Sequence, residues 1–150
     1  MKRMLVCAVW VVALAFPATT AAGIRSFHGT VDPDGTVDFR AKIRHGKPVK
    51  VRGSLNHPGF AWGGFPIECD LGTLPWDVVS GHFTFSMKVE DGRFHGKGSN
   101  GTVTAKVRGR FRKHGTKAKG TLRVHGAFPS LDASGCDTGN GDWSAHRVPD

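Results

Sequence analysis

Three kinds of side chain in this 150-residue sequence could do chemistry: cysteines, histidines and a few carboxylates set among many cations. Cys7 lies in an apolar leading run, which leaves Cys69 and Cys136 for the body of the chain. No Cys-x-x-Cys is present, so the pair fits a structural disulfide better than a redox or metal motif. Such a bridge closes a loop spanning most of the domain, worth about 4 kcal/mol on loop entropy. The eight histidines (His28, His45, His57, His82, His95, His114, His125 and His146) are scattered and show no His-x-x-x-His spacing. Glu68, Asp70 and Asp77 could supply the acid pair of a glycosidase, but nothing in their spacing selects them, and Asp70 suits the turn after Cys69. There is no Gly-x-Ser-x-Gly elbow and no phosphate loop. The sequence therefore points to no catalytic constellation, no metal and no cofactor.

What remains is positive charge and the strands that carry it. Lys and Arg number 21 against 12 Asp and Glu, a net charge of +9. His82 to Gly126 reads as four strands joined by tight turns at Asp91-Gly92, Asn100-Gly101 and His114-Gly115. The first turn pairs Val89 with Phe94, Met87 with Gly96 and Phe85 with Gly98. The second sets Phe94 opposite Val107, Gly96 opposite Ala105 and Gly98 opposite Val103. The third sets Phe111 against Ala118, Gly109 against Gly120, Val107 against Leu122 and Ala105 against Val124. A one-residue slip would exchange the faces, yet all three turns place the apolar residues together.

The opposite face is dense in cations. The expected rows are Lys88, His95, Lys106 and Arg123, then Glu90, Arg93, Arg108 and Thr121, with Arg110 facing Lys119 and Arg112 facing Lys117. Glu90 and Asp91 are the only acids between Lys88 and His125. Like charges placed opposite one another cost up to about 1 kcal/mol per pair, so the face is either a site for an anionic polymer or surface, or simply a solvated side of a basic protein. Arg40, Lys42, Arg44, Lys50 and Arg52 add a second basic strip.

Around this core the chain is organised as an exported domain. Lys2 and Arg3, the apolar Met4 to Phe16 and the small residues of Pro17 to Ala22 read as a secretory signal, cleaved near Ala22. Residues 23–150 then form one domain of net charge +7, because Lys2 and Arg3 leave with the leader. No later run is apolar enough to cross a membrane as a helix. The first hairpin turns at Asp32 to Thr36 and pairs Val31 with Val37, Gly29 with Phe39 and Phe27 with Ala41. A third strand carries Val49, Val51, Gly53 and Leu55. Asn56 to Ser80 is Gly- and Pro-rich, with one short strand expected at Phe65 to Cys69. Its rings Phe60, Trp62 and Trp76 either contact a ligand, such as a sugar face, or plug the core. Cys136 to Gly139 is expected to meet Asp142 to Val148 across an Asn140-Gly141 turn as a closing strand.

Phe60-Ala61-Trp62, Pro66-Ile67-Glu68-Cys69-Asp70-Leu71-Gly72, Gly120 to Val124, Cys136 to Gly139 and Trp143-Ser144-Ala145 resemble a set of small, functionally uncharacterised secreted β-rich proteins of actinobacteria. The resemblance implies an exported, disulfide-linked β domain and assigns no functional residue. The whole reading is an all-β antiparallel meander of eight or nine strands, a partly open barrel first and a two-sheet sandwich second. In function it fits a non-enzymatic binding or envelope-associated module drawn to anionic glycans or cell-wall polymers, with nucleic acid the less expected polyanion. A calycin-like barrel holding a small apolar ligand is the alternative, and a secreted hydrolase stands third.

Overall fold

The computed structural model describes residues 22–54, 59–64, 66–74 and 80–150. The expected leader lies outside these residues but for Ala22, and so does Trp76. The chain is all β, in the order β1 (Gly23–Val31), β2 (Gly35–Arg44), β3 (Lys47–Val51), β4 (Phe60–Gly63), β5 (Ile67–Cys69), β6 (Gly72–Leu74) and β7 (Gly81–Phe83). Then follow β8 (Met87–Lys88), β9 (Arg93–Ser99), β10 (Val103–Arg112), β11 (Lys117–Phe128), β12 (Ala133–Asp137) and β13 (Gly141–Arg147). All pair antiparallel.

Edge to edge, the strands make eight staves: β9, β10, β11, β13, β1, β2, then β3 with β4, then β8 with β7. β2 carries β4 along Thr36–Phe39 and β3 along Ala41–Arg44, and β7 and β8 continue outward from these. Thirteen strands arise among the described residues where eight or nine were expected, because irregular segments break two staves and the Asn56–Ser80 region supplies three short strands, β4, β5 and β6. The ring does not close by a ladder: among the described residues the only backbone pairing at the β8–β9 seam is the isolated Glu90–Arg93 bridge just after β8. The architecture is thus the partly open barrel.

Side chains span what hydrogen bonds do not. Phe39 of β2 stacks on Phe27 of β1 at 4.8 Å and on Phe60 of β4 at 5.5 Å. It also meets Phe94 of β9 at 5.9 Å, Phe111 of β10 at 6.1 Å and Trp143 of β13 at 5.8 Å. Rings from six staves can converge only if the sheet curls on itself. Glycines make the room: a Cβ on Gly109 would lie 2.3 Å from the Phe94 ring, and one on Gly96 2.5 Å from the Met87 sulfur. Each fully buried ring contributes about 2–3 kcal/mol by leaving water.

The expected registers survive in part. β10 and β11 pair as expected, Val107 with Leu122 and Phe111 with Ala118. The Asp91-Gly92 turn forms, both residues having positive φ. The Asn100-Gly101 hairpin is displaced by two residues, so Phe94 faces Gly109 and Val107 faces Gly96. The cause is the Asn100 side chain. Its Oδ1 accepts the Val103 and Thr102 N–H groups at 2.8 and 3.1 Å, and Ser99 pairs with Thr104. The first hairpin is displaced likewise: the loop takes only Asp32 to Asp34, and Phe27 lies opposite Phe39 rather than Ala41. Displacement by two keeps every face, so Phe94, Val107 and Leu122 are all buried.

Two local expectations fail. β12 does not pair with β13: both lie on one edge of the long β11, β13 along Lys117–Leu122 and β12 along His125–Phe128. Phe85 is 40% exposed, since the chain breaks between β7 and β8 and its ring covers Phe83 at the open seam.

The disulfide joins Cys69 of β5 to Cys136 of β12, with Cα atoms 3.9 Å apart, closer than the 4.4–6.8 Å usual for such bridges. It staples β5 to β12 within the β12–β5–β6 flap, and the flap joins β11 through the β12 ladder. Phe39→Ala is expected to cost roughly 3–5 kcal/mol in urea unfolding, because a ring touching five others leaves a cavity, whereas Phe85→Ala should cost under about 1 kcal/mol. Equal costs would show that the ring cluster does not hold the barrel shut.

Candidate functional site

With the registers fixed, the outward side chains of β9, β10, β11 and β13 fall into four rows. Arg112, Lys117 and His146 make the first, and Arg93, Arg110, Lys119 and Ser144 the second. His95, Arg108, Thr121 and Asp142 make the third, and Lys97, Lys106 and Arg123 the fourth. Neighbouring strands lie about 4.8 Å apart and alternate residues on one strand about 6.8 Å apart, so the cations form a two-dimensional grid.

The structure brings together Arg93, Lys106, Arg108, Arg110, Arg112, Lys117, Lys119 and Arg123 on β9–β11, as expected. It adds Lys97, which sequence reasoning left out because the two-residue displacement hid its place opposite Lys106. Lys88 is corrected: it sits on β8, opposite Lys50 of β3, in a separate strip with Lys42. That strip reaches the grid only across the open seam.

Electrostatics divide the cations. Lys88 donates to Glu90 at 2.6 Å; the hydrogen bond and the opposite charge raise the ammonium and lower the carboxyl. Arg123 grips Asp137 with two donors, Nε at 2.9 Å and Nη2 on the other oxygen. That bond chiefly, helped by the Gly139 N–H, holds the Asp137 carboxyl at about 2 against the opposing effect of burial. Among the described residues, Arg93, Lys97, Lys106, Arg108, Arg110, Arg112, Lys117 and Lys119 lie within 4 Å of no carboxylate. Their cross-strand repulsion is up to about 1 kcal/mol per pair and is screened over about 8 Å at physiological salt.

The expected loop contacts fare differently. Phe60 is fully buried in the ring cluster, so it presents no surface to a ligand; its alternation with the half-buried Ala61 and Gly63 puts it on the inner side of β4. Trp62 is 9% exposed, packed on Gly81 and Phe83, and borders a groove of about 460 Å³ with Phe83, Phe85 and Phe128. Trp76 lies outside the described residues.

Two shallow grooves flank Lys119. One, about 440 Å³, runs from Arg110 and Lys119 to Asp142 and Asp32; the other, about 640 Å³, is lined by Arg112, Lys117 and His146. The first depends on β13 lying between β11 and β1, a long-range pairing with no local sequence signal. Among the described residues no group of three or more His, Cys, Asp or Glu is arranged to hold a metal ion, and no helix is long and apolar enough to cross a membrane.

No family model, curated protein or solved structure matches the chain.

The Arg123–Asp137 pair gives a pH prediction. A carboxyl whose folded value is lowered from 3.8 to about 2 adds stability that is complete above its unfolded value and is lost as pH falls through the folded one. The stability gap between wild type and Asp137→Asn, followed by thermal melts, should therefore narrow as pH drops from about 5 to about 2. Because both side chains are more than a third exposed, the gap should be modest at every pH. A gap independent of pH would mean that the carboxylate's charge contributes nothing.

Proposed function

We propose that this chain is an exported, non-enzymatic binding module that holds anionic glycans or cell-envelope polymers against the outer face of β9, β10 and β11. The observation that carries the reading is the grid of eight cations without a carboxylate partner among the described residues. Elsewhere on the surface some acids are paired: Asp38 meets His28 at 2.7 Å and Asp150 meets Arg25 at 3.3 Å. A rigid β platform fixes the cations in rows, and an extended polymer can span them by releasing counterions at each contact.

The convergence of Phe27, Phe39, Phe60, Phe94, Phe111 and Trp143 fills the middle of the barrel and supports an outside site over an enclosed one. The second reading, a small apolar ligand, draws support from the 460 Å³ groove at the open seam, where Trp62, Phe83, Phe85 and Phe128 meet.

Retention on envelope polymer at low and high salt tests the first reading. Arg93→Gln, Arg110→Gln and Lys119→Gln together neutralise one complete row. Taking about 1 kcal/mol for each cation near an anionic surface, binding at low salt should weaken on the order of 100-fold. Thermal stability should stay level or rise slightly as repulsion is relieved. Undiminished retention of the triple variant would sink the reading; retention abolished instead by Phe85→Ala would favour the seam groove.

A further inference from the structure

The 440 Å³ groove beside Lys119 is not uniformly basic. Arg110 and Lys119 form one wall, Asp142 and Asp32 the other, with hydroxyls of Ser144 and Thr30 between them. Register sets the span. Asp142 lies opposite Thr121 and Ser144 opposite Lys119, so Asp142 and Lys119 are diagonal neighbours about 7–8 Å apart at the backbone. The Asp32 N–H donates to the Asp142 carbonyl at 2.8 Å, which brings the second carboxylate to the same end. Among the described residues neither acid pairs with either cation within 4 Å, although Glu90, Asp38, Asp137 and Asp150 all find partners. Two cations and two carboxylates thus share one open groove without neutralising each other.

We infer that this groove takes a zwitterionic unit, an anionic phosphate or carboxylate on Arg110 and Lys119 and an ammonium a few bonds away on Asp142 and Asp32. The inference rests on the proposed polymer-binding reading and refines it: the preferred polymer carries amines beside its anions. A lone zwitterionic headgroup would occupy the groove only. The rows continue past it to Arg93 and Arg108 on β9 and β10, which favours a chain of repeating charged units over a lipid surface.

The test uses the mature chain, poly(glycerol phosphate) bare and the same polymer bearing alanyl esters, whose free amines supply the ammonium. Wild type should bind the alanylated polymer at least threefold more tightly, although its net negative charge is lower. Asp32→Asn with Asp142→Asn should reverse that order: it removes repulsion and strengthens binding to bare polymer, while it weakens binding to the alanylated one. Both carboxylates are exposed and make no ion pair among the described residues, so the variant's thermal midpoint should match wild type. If the double variant binds both polymers more tightly, the groove is merely part of the basic face and the inference fails while the polymer reading stands. Wild type binding neither polymer at low salt overturns both. Equal retention on phosphatidylethanolamine vesicles overturns the choice of a polymer.

Discussion

Phe39 and the five rings around it are the constraint on which the rest depends. The sheet has a seam between β8 and β9 that the backbone bridges once, at Glu90 and Arg93. Across the barrel, however, Phe27 meets Phe111 at 5.4 Å and Phe60 meets Phe94 at 6.4 Å, joining staves that share no ladder. Curling is therefore driven by apolar burial, and the ladder follows. Because each ring fixes which side of its strand points inward, the next residue must point out. The cation grid is what this alternation leaves on the outside of β9–β11.

The ring cluster also explains how far the sequence could be read. Alternation gave the inward and outward face of nearly every long strand, because a slip by one residue would bury Arg108 in place of Val107. It could not distinguish registers that differ by two. Side-chain size decides those: Phe94 over Gly109 fits where Phe94 over Val107 would crowd, and Phe27 stacked on Phe39 gains an aromatic pair that Ala41 cannot offer. Such choices depend on the third dimension of the core. The mixed groove was hidden for a related reason. Its walls come from β10, β11, β13 and the end of β1, and β1 is far in sequence from the others and brought to them by pairing with β13 alone.

The outer surface is asymmetric around the barrel. Going from β9 to β11 the outward rows are almost wholly cationic; from β13 to β1 they turn to Ser144, Thr30, His146 and His28, with Asp142 and Asp32 at one end. Solubility alone would be served by mixing the signs, which removes cross-strand repulsion at no cost to the core. The chain does mix them elsewhere, in the Lys88–Glu90 and Arg25–Asp150 pairs. Cations are thus segregated on the outer side of β9–β11, with the smaller strip of Lys42, Lys50 and Lys88 lying across the seam.

The edge of that grid is set by the flap. β12 lies on β11 at His125 to Phe128, and β5 lies on β12, with Cys69 and Cys136 joining the two strands covalently. Asp137, at the end of β12, accepts from Nε and Nη2 of Arg123, so the last cation of the fourth row is committed to holding the flap. The Thr138 hydroxyl accepts the Val124 N–H at 2.9 Å at the same junction. Down β10, across the four rows, the cations unpaired among the described residues run from Arg112 to Lys106, and in the fourth row Arg123 is neutralised. The ion pair and the hydroxyl hold the flap at the edge of the cation grid, and β12 occupies the part of β11 that β13 leaves open. The groove beside Lys119 opens on the side of the grid where β13 has replaced β12.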